Sequence, residues 1–200
     1  YFRSPGADWL FSAQLYGHGG RMLSEAQTDV AINGPEGLAA LRLLDRMVKE
    51  GGMPNYAGTA DLQAFAAGKL GMMFRTTAQV RSIANSVGSN FELGTTIMPV
   101  IDAAKGRLPT GGAAAMITAK DPRKLEAAWK FVKFATSAEG TTLMVKNTGY
   151  VPCNQIAIDD PSYLGDFYKA NPLFQAATKQ VHLMVPWYAF PGQNSVRVTQ

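Results

Sequence analysis

The sequence predicts an α/β fold. Several segments carry apolar residues at the three-four spacing of a helix face, and between them stand short continuous apolar runs, the pattern of strands covered on both sides. The two patterns alternate along the 200 residues without an internal repeat, which excludes a solenoid or propeller. Against a typical single core of roughly 100 to 150 residues, this length allows one large core or two smaller ones.

In chain order, Asp8 caps a short helix carrying Trp9, Leu10, Ala13 and Tyr16, ended by the glycines at 17, 19 and 20. Asn33 ahead of Gly34, Pro35 and Glu36 is a stronger helix start. The helix behind it reaches about Glu50, turns Leu38, Leu41, Leu44, Met47 and Val48 to one face, and stops at Gly51 and Gly52. Asp61 to Ala67 is a further helix with Leu62 and Phe65 inward. Leu70 to Phe74 reads as a doubly covered strand, Thr76 and Thr77 as the turn into a helix on Val80, Ile83 and Val87, and Phe91 to Met98 as a second strand. Lys105 to Thr110 is polar and turn-rich, and Ala113 to Thr118 is a small-residue strand. Asp121 and Pro122 open a helix whose Leu125, Ala128, Trp129 and Val132 share a face. Ser137 to Lys146 forms another, stopped near Gly149. Loops and short helices at 163–170 and 174–179 follow.

The totals narrow the function. The net charge of +4 is spread without a basic run, so nothing marks a nucleic-acid tail, and only a slight bias toward anionic ligands remains. A single cysteine, Cys153, excludes an internal disulfide; it reads as a buried or idle thiol. No stretch approaches the ~18 apolar residues of a membrane span, and no signal segment precedes Tyr1. The absent initiator methionine and the ending at Thr199 and Gln200 read as a fragment or a processed form. His18 and His182 lie far apart, without metal spacing, so no metal and no cofactor are expected. GxSxG, Walker A and strand-borne GxGxxG motifs are absent, and no catalytic residue is assigned. Asp159 and Asp160 before Pro161 read as a turn and helix cap rather than paired acids.

What remains is a binding geometry. A helix that begins where a parallel strand ends offers free backbone N–H groups and a positive dipole end to an oxyanion or a hydroxyl. Thr76 and Thr77 occupy such a place and add two hydroxyls; their plain reading is a helix cap. Gly111 and Gly112 let a ligand approach the backbone, or simply make a turn. Trp9, Tyr150, Trp187 and Tyr188 are aromatic groups able to stack on a sugar, or to fill a core.

Taken in order, Ala31 to Glu36, Phe65 to Met73 leading into Thr76, Gly94 to Pro99, Gly111 to Ala113, Lys124 to Phe134, and Thr148 to Pro152 resemble the family 1 extracellular solute-binding proteins of carbohydrate-type ABC importers. Among these the glycerol-3-phosphate binders look most alike. The resemblance implies a periplasmic-binding-protein type II fold of two α/β lobes that close over a ligand, with the N-terminal lobe largely missing from this chain. It assigns residues 1–100 to the second lobe, 101–149 to the hinge crossing and the first lobe, and 150–200 to the return into the second. It carries over Trp9, Thr76, Thr77, Gly111, Gly112 and Tyr150 as ligand contacts, and Arg197 as the partner of a phosphate. The turn here reads Arg75, Thr76, Thr77, Ala78, where the family is often serine-rich.

The implied function is a periplasmic or lipid-anchored receptor for a sugar, glycerol-3-phosphate or glycerophosphodiester. Its partner is an ABC permease, and this segment neither inserts in a membrane nor binds nucleic acid. Two alternatives stay open from the residues alone: an α/β transferase acting on phosphorylated small molecules, and the ligand-sensing domain of a regulator.

Overall fold

The computed structural model describes residues 7–56, 59–111 and 114–188. The chain divides into two compact units, one from residues 1–61, 99–111 and 182–200, the other from 62–98 and 112–181.

In the first unit, α1 (Ala7–Gly17) packs against α2 (Pro35–Lys49) and against β1 (Leu108–Thr110). Leu15 and Ala40 are fully buried, and Ala13, Met22 and Leu108 nearly so. Gly37 lets the segment entering α2 lie close to the helix, because a Cβ there would run into the carbonyl of Ile32. Two expected caps are corrected. Asp8 lies inside the first turn of α1, and α2 starts from Gly34 with no side-chain cap, so Asn33 does not serve. The inward face predicted for α2 is corrected too: Leu38, Leu41 and Val48 are about half exposed, and the small residues Gly37 and Ala40 are the buried ones.

β1 pairs in parallel with β2 (Met184–Pro186), in the register Leu108 to Met184 and Thr110 to Pro186. These strands stand where the sequence predicts a polar turn, at 105–110, and no element, at 184–186. Both are strands of three residues, too short to show a period of two. Residues 101–107 are tied to the end of α1: the amides of Ile101 and Asp102 donate to the Gly17 carbonyl, and that of Arg107 to Tyr16.

The second unit is helical: α3 (Ala60–Ala66) from Leu62 onward, α4 (Val80–Val87), α5 (Pro122–Ala135), α6 (Ala138–Thr148), α7 (Gln155–Asp159) and α8 (Asp166–Ala170). Its core gathers Val145, Ala157, Leu164, Tyr168 and Phe174. Asp121 caps α5, its carboxylate accepting the Lys124 amide at 3.0 Å, and Ser137 caps α6 through the Gly140 amide at 3.2 Å. Gly149 ends α6 with φ 109°, in the left-handed region. Asp160 caps the turn at Pro161 by accepting both the amide and the hydroxyl of Ser162. The helix expected at 174–179 is replaced by short 3-10 turns at Pro172–Phe174 and Thr178–Leu183.

The strands expected at 70–74, 91–98 and 113–118 join no sheet among the described residues, and Ala113 lies outside them. A central strand needs neighbours to take its N–H and C=O groups, and no described segment supplies one there. Side chains do part of that work instead. The Gln180 carboxamide accepts from the Met98 amide and donates to the Met98 carbonyl, both at 2.8 Å, and the Thr95 hydroxyl donates to the Leu173 carbonyl. The α5 face lacks cover in the same way: no residue of that helix is buried, and Trp129 is 59% exposed.

Candidate functional site

The expected site residues fall into both units, and each group is built differently. In the first unit, the parallel register sends the chain out of β1 and β2 at the same carboxyl end, into Gly111 and Trp187 respectively. This is the end of an α/β sheet at which ligands bind. Trp9, in the first turns of α1, reaches it. A Cβ on Gly111 would overlap the Cη2–Cζ3 edge of the Trp9 indole, so only glycine admits the ring there. The other side of the picture is aromatic: Trp9 and Trp187 stack with centroids 4.3 Å apart and planes 4° from parallel, and Tyr188 follows at 4.6 Å from Trp187. Burial raises the pKa of Tyr16, although the Met22 amide bonded to its oxygen pulls the other way.

In the second unit, Thr76 performs the plain task anticipated for it: its hydroxyl accepts the Ala78 amide at 3.3 Å and starts the 3-10 turn Thr77–Gln79 that leads into α4. The Thr77 carbonyl lies against Gly149, where an added Cβ would come within 2.5 Å of it. Thr76, Thr77 and Tyr150 are thereby brought to one region, with the Tyr150 side of the turn exposed and its amide donating to the Thr148 hydroxyl at 3.1 Å. Arg81 fixes this arrangement from below: its guanidinium donates twice to the Lys146 carbonyl, at 2.8 and 3.1 Å, and lies 4.8 Å over the Phe174 ring. Gly112 and Arg197 lie outside the described residues.

The residues set aside at the outset behave as ordinary side chains, with one correction. His18, in the turn just after α1, bonds the Gln14 carbonyl of that helix through Nδ1 at 2.8 Å. Cys153 is exposed rather than buried, 3.4 Å from the Thr141 hydroxyl. The first unit thus offers an aromatic face and close backbone at Trp9 and Gly111, and the second offers the hydroxyls of Thr76, Thr77 and Tyr150.

The sequence matches the model of the bacterial extracellular solute-binding protein family over residues 1–176. The chain belongs to that family. Among curated proteins none matches this sequence. Several solved structures do match this solute-binding protein in fold. One is the cyclic alpha-maltosyl-1,6-maltose binding protein from Arthrobacter globiformis, with a TM-score of 0.77 at 23% identity, covering 99% of this chain and 50% of that one. UgpB from Mycobacterium tuberculosis, in complex with glycerophosphocholine, gives 0.78 at 24% identity over 96% of this chain and 49% of its own. Maltose-bound MalE3 from T. maritima gives 0.68 at 21% identity over 96% and 50%. The fold is therefore the α/β periplasmic-binding-protein type II fold, and the chain spans about half the length of the solved structures it matches.

Trp187, one of the four aromatic residues able to stack but not among the expected ligand contacts, is brought beside Trp9 by the pairing of β1 with β2. That pairing joins residues about 75 positions apart, and two strands of three residues leave no local pattern to reveal it.

Proposed function

We propose that this solute-binding protein captures a small polar ligand outside the cytoplasm, in the periplasm or on a lipid anchor, and delivers it to the permease of an ABC importer. The observation that carries the reading is the family match across residues 1–176. The ligand class is a sugar, glycerol-3-phosphate or a glycerophosphodiester. Solved structures of the same fold are described with cyclic maltosyl-maltose, glycerophosphocholine and maltose, which spans this range. Trp9, with its edge against Gly111, supplies the flat apolar face that a sugar ring or a choline group stacks on. Thr76, Thr77 and Tyr150 supply hydroxyls, Gly112 a backbone approach, and Arg197 a bidentate partner for a phosphate.

No step of this function breaks a bond. Ligand shifts an open form toward a closed one only in proportion to how much better it binds the closed form. Among the described residues no helix is long and apolar enough to cross a membrane.

A thermal-shift series on the full-length protein against maltose, glycerol-3-phosphate and glycerophosphocholine tests the reading. A ligand that binds the native state raises the melting temperature with its concentration. A flat response to every one of these compounds would remove the ligand class. With a phosphate ligand in hand, Arg197→Ala is expected to weaken binding by roughly 2 to 5 kcal/mol, and unchanged calorimetric affinity would take Arg197 out of the site.

A further inference from the structure

The Lys146 carbonyl is one of those at the end of α6 for which the helix supplies no amide: a further turn would send it the amide of Tyr150, and that amide donates to the Thr148 hydroxyl instead. Arg81 takes its place. Nε donates to this carbonyl at 3.1 Å and Nη2 at 2.8 Å, and the guanidinium carbon stands 4.8 Å above the ring of Phe174, a buried core residue. Fork and stack together hold the group in one orientation, which a lysine ammonium does not do, and its charge faces the negative end of the α6 dipole.

Arg81 is the second residue of α4, just past the turn Thr77–Gln79. Farther back along the same stretch, the Thr77 carbonyl and the Val80 side chain lie against Gly149. The start of α4 therefore meets the end of α6 at two places, Gly149 and Lys146, and two points of contact fix a direction where one leaves a pivot. Thr76 and Tyr150 stand next to these contacts in the chain. The Thr76 hydroxyl accepts the Ala78 amide and so keeps its proton to donate, and Tyr150 is 41% exposed. We infer that Arg81 is a positioning residue of the ligand site: without touching the ligand, it sets the spacing between the Thr76–Thr77 turn and Tyr150, and so the spacing of the ligand oxygens that these hydroxyls bond. This rests on the reading of Thr76, Thr77 and Tyr150 as ligand contacts.

The test is a double-mutant cycle on the full-length protein, with calorimetric titration of maltose, glycerol-3-phosphate and glycerophosphocholine. Arg81→Ala should weaken whichever of these the wild type binds by at least about 2-fold, and the loss caused by Tyr150→Phe should shrink by at least about 2-fold in the Arg81→Ala background, since two side chains acting through one placement are coupled. Arg81→Lys, which keeps the charge but not the fork, should show the same coupling and carries the cycle if the alanine variant fails to fold. Failure of both to fold would make Arg81 a folding residue alone and overturn the inference. An Arg81 that merely stabilised the fold, or that bonded a phosphate on its own account, would leave the Tyr150→Phe loss unchanged. That result, or a Tyr150→Phe variant that binds like the wild type, overturns the positioning role and leaves the receptor reading standing. Binding of none of the three compounds by the wild type overturns the ligand class and this inference with it.

Discussion

Gly149 is the residue on which two elements of the second unit meet. It closes α6 at φ 109° and leaves room for the Thr77 carbonyl and the Val80 side chain. A side chain at that position meets both a disfavoured backbone conformation and a collision with a backbone oxygen, so Gly149→Ala is expected to destabilise the protein by about 1 to 3 kcal/mol. Chemical denaturation measures it, and an unchanged midpoint would contradict the geometry. Asp102 offers a second check at this scale. Its carboxylate accepts the Lys105 amide at 2.8 Å and the Ala104 amide at 2.9 Å, and these bonds, that of Lys105 first, hold its pKa below the usual 3.8. The folded value lies under the unfolded one, so the turn is fully supported above pH 3.8 and loses that support as the pH falls through the lower folded value. The Ala104 and Lys105 amide resonances should titrate together with a midpoint under 3.8; a midpoint at or above it would show the bonds are absent in solution.

Among the elements, α5 separates what a helix owes to its own sequence from what it owes to its neighbours. Its start is secured locally by the Asp121 cap, whereas Trp129 and Phe131 on its surface are 59% and 66% exposed. Asp121→Ala should therefore cost about 1 kcal/mol, and Trp129→Ala in the same 200-residue chain less than about 0.5 kcal/mol. Thermal melts of the two variants decide it, and the reverse order would mean that the tryptophan is covered. The same division explains what was legible in advance. Asp121, Ser137 and Gly149 mark helix ends by chemistry within four residues, and the structure has them where the sequence put them. Thr76 as a cap was equally local. The leucines of α2 show the limit of the method, since a periodic apolar stripe identifies a helix without saying which part of it is buried. Strands were the least legible, because apolar runs such as 70–74 become sheet only where a partner is available, and although β2 sits in the apolar run 183–188, its partner β1 lies in a polar, turn-rich stretch that does not announce a strand. Of the candidate site, residue types were readable and juxtapositions were not: Gly111 under Trp9 and Thr77 against Gly149 are facts of packing.

At the scale of the whole molecule, the polypeptide passes between its two units four times, at 61/62, 98/99, 111/112 and 181/182. Every residue of the second unit lies between 62 and 181, so a chain ending at Val181 should keep the core of Val145, Leu164, Tyr168 and Phe174 while β1 loses its partner. Hydrogen exchange on that truncated chain is expected to show protection in α6 and none at Leu108; collapse of both regions together would mean that the units fold as one. The pairing of Leu108 with Met184 also imposes an order on biosynthesis. At ~5 to 20 residues per second, β1 leaves the ribosome roughly 4 to 15 seconds before the strand that completes it. During that interval the nascent chain carries an unfinished sheet edge, so this part of the fold can close only after nearly the whole of the 200-residue sequence has emerged.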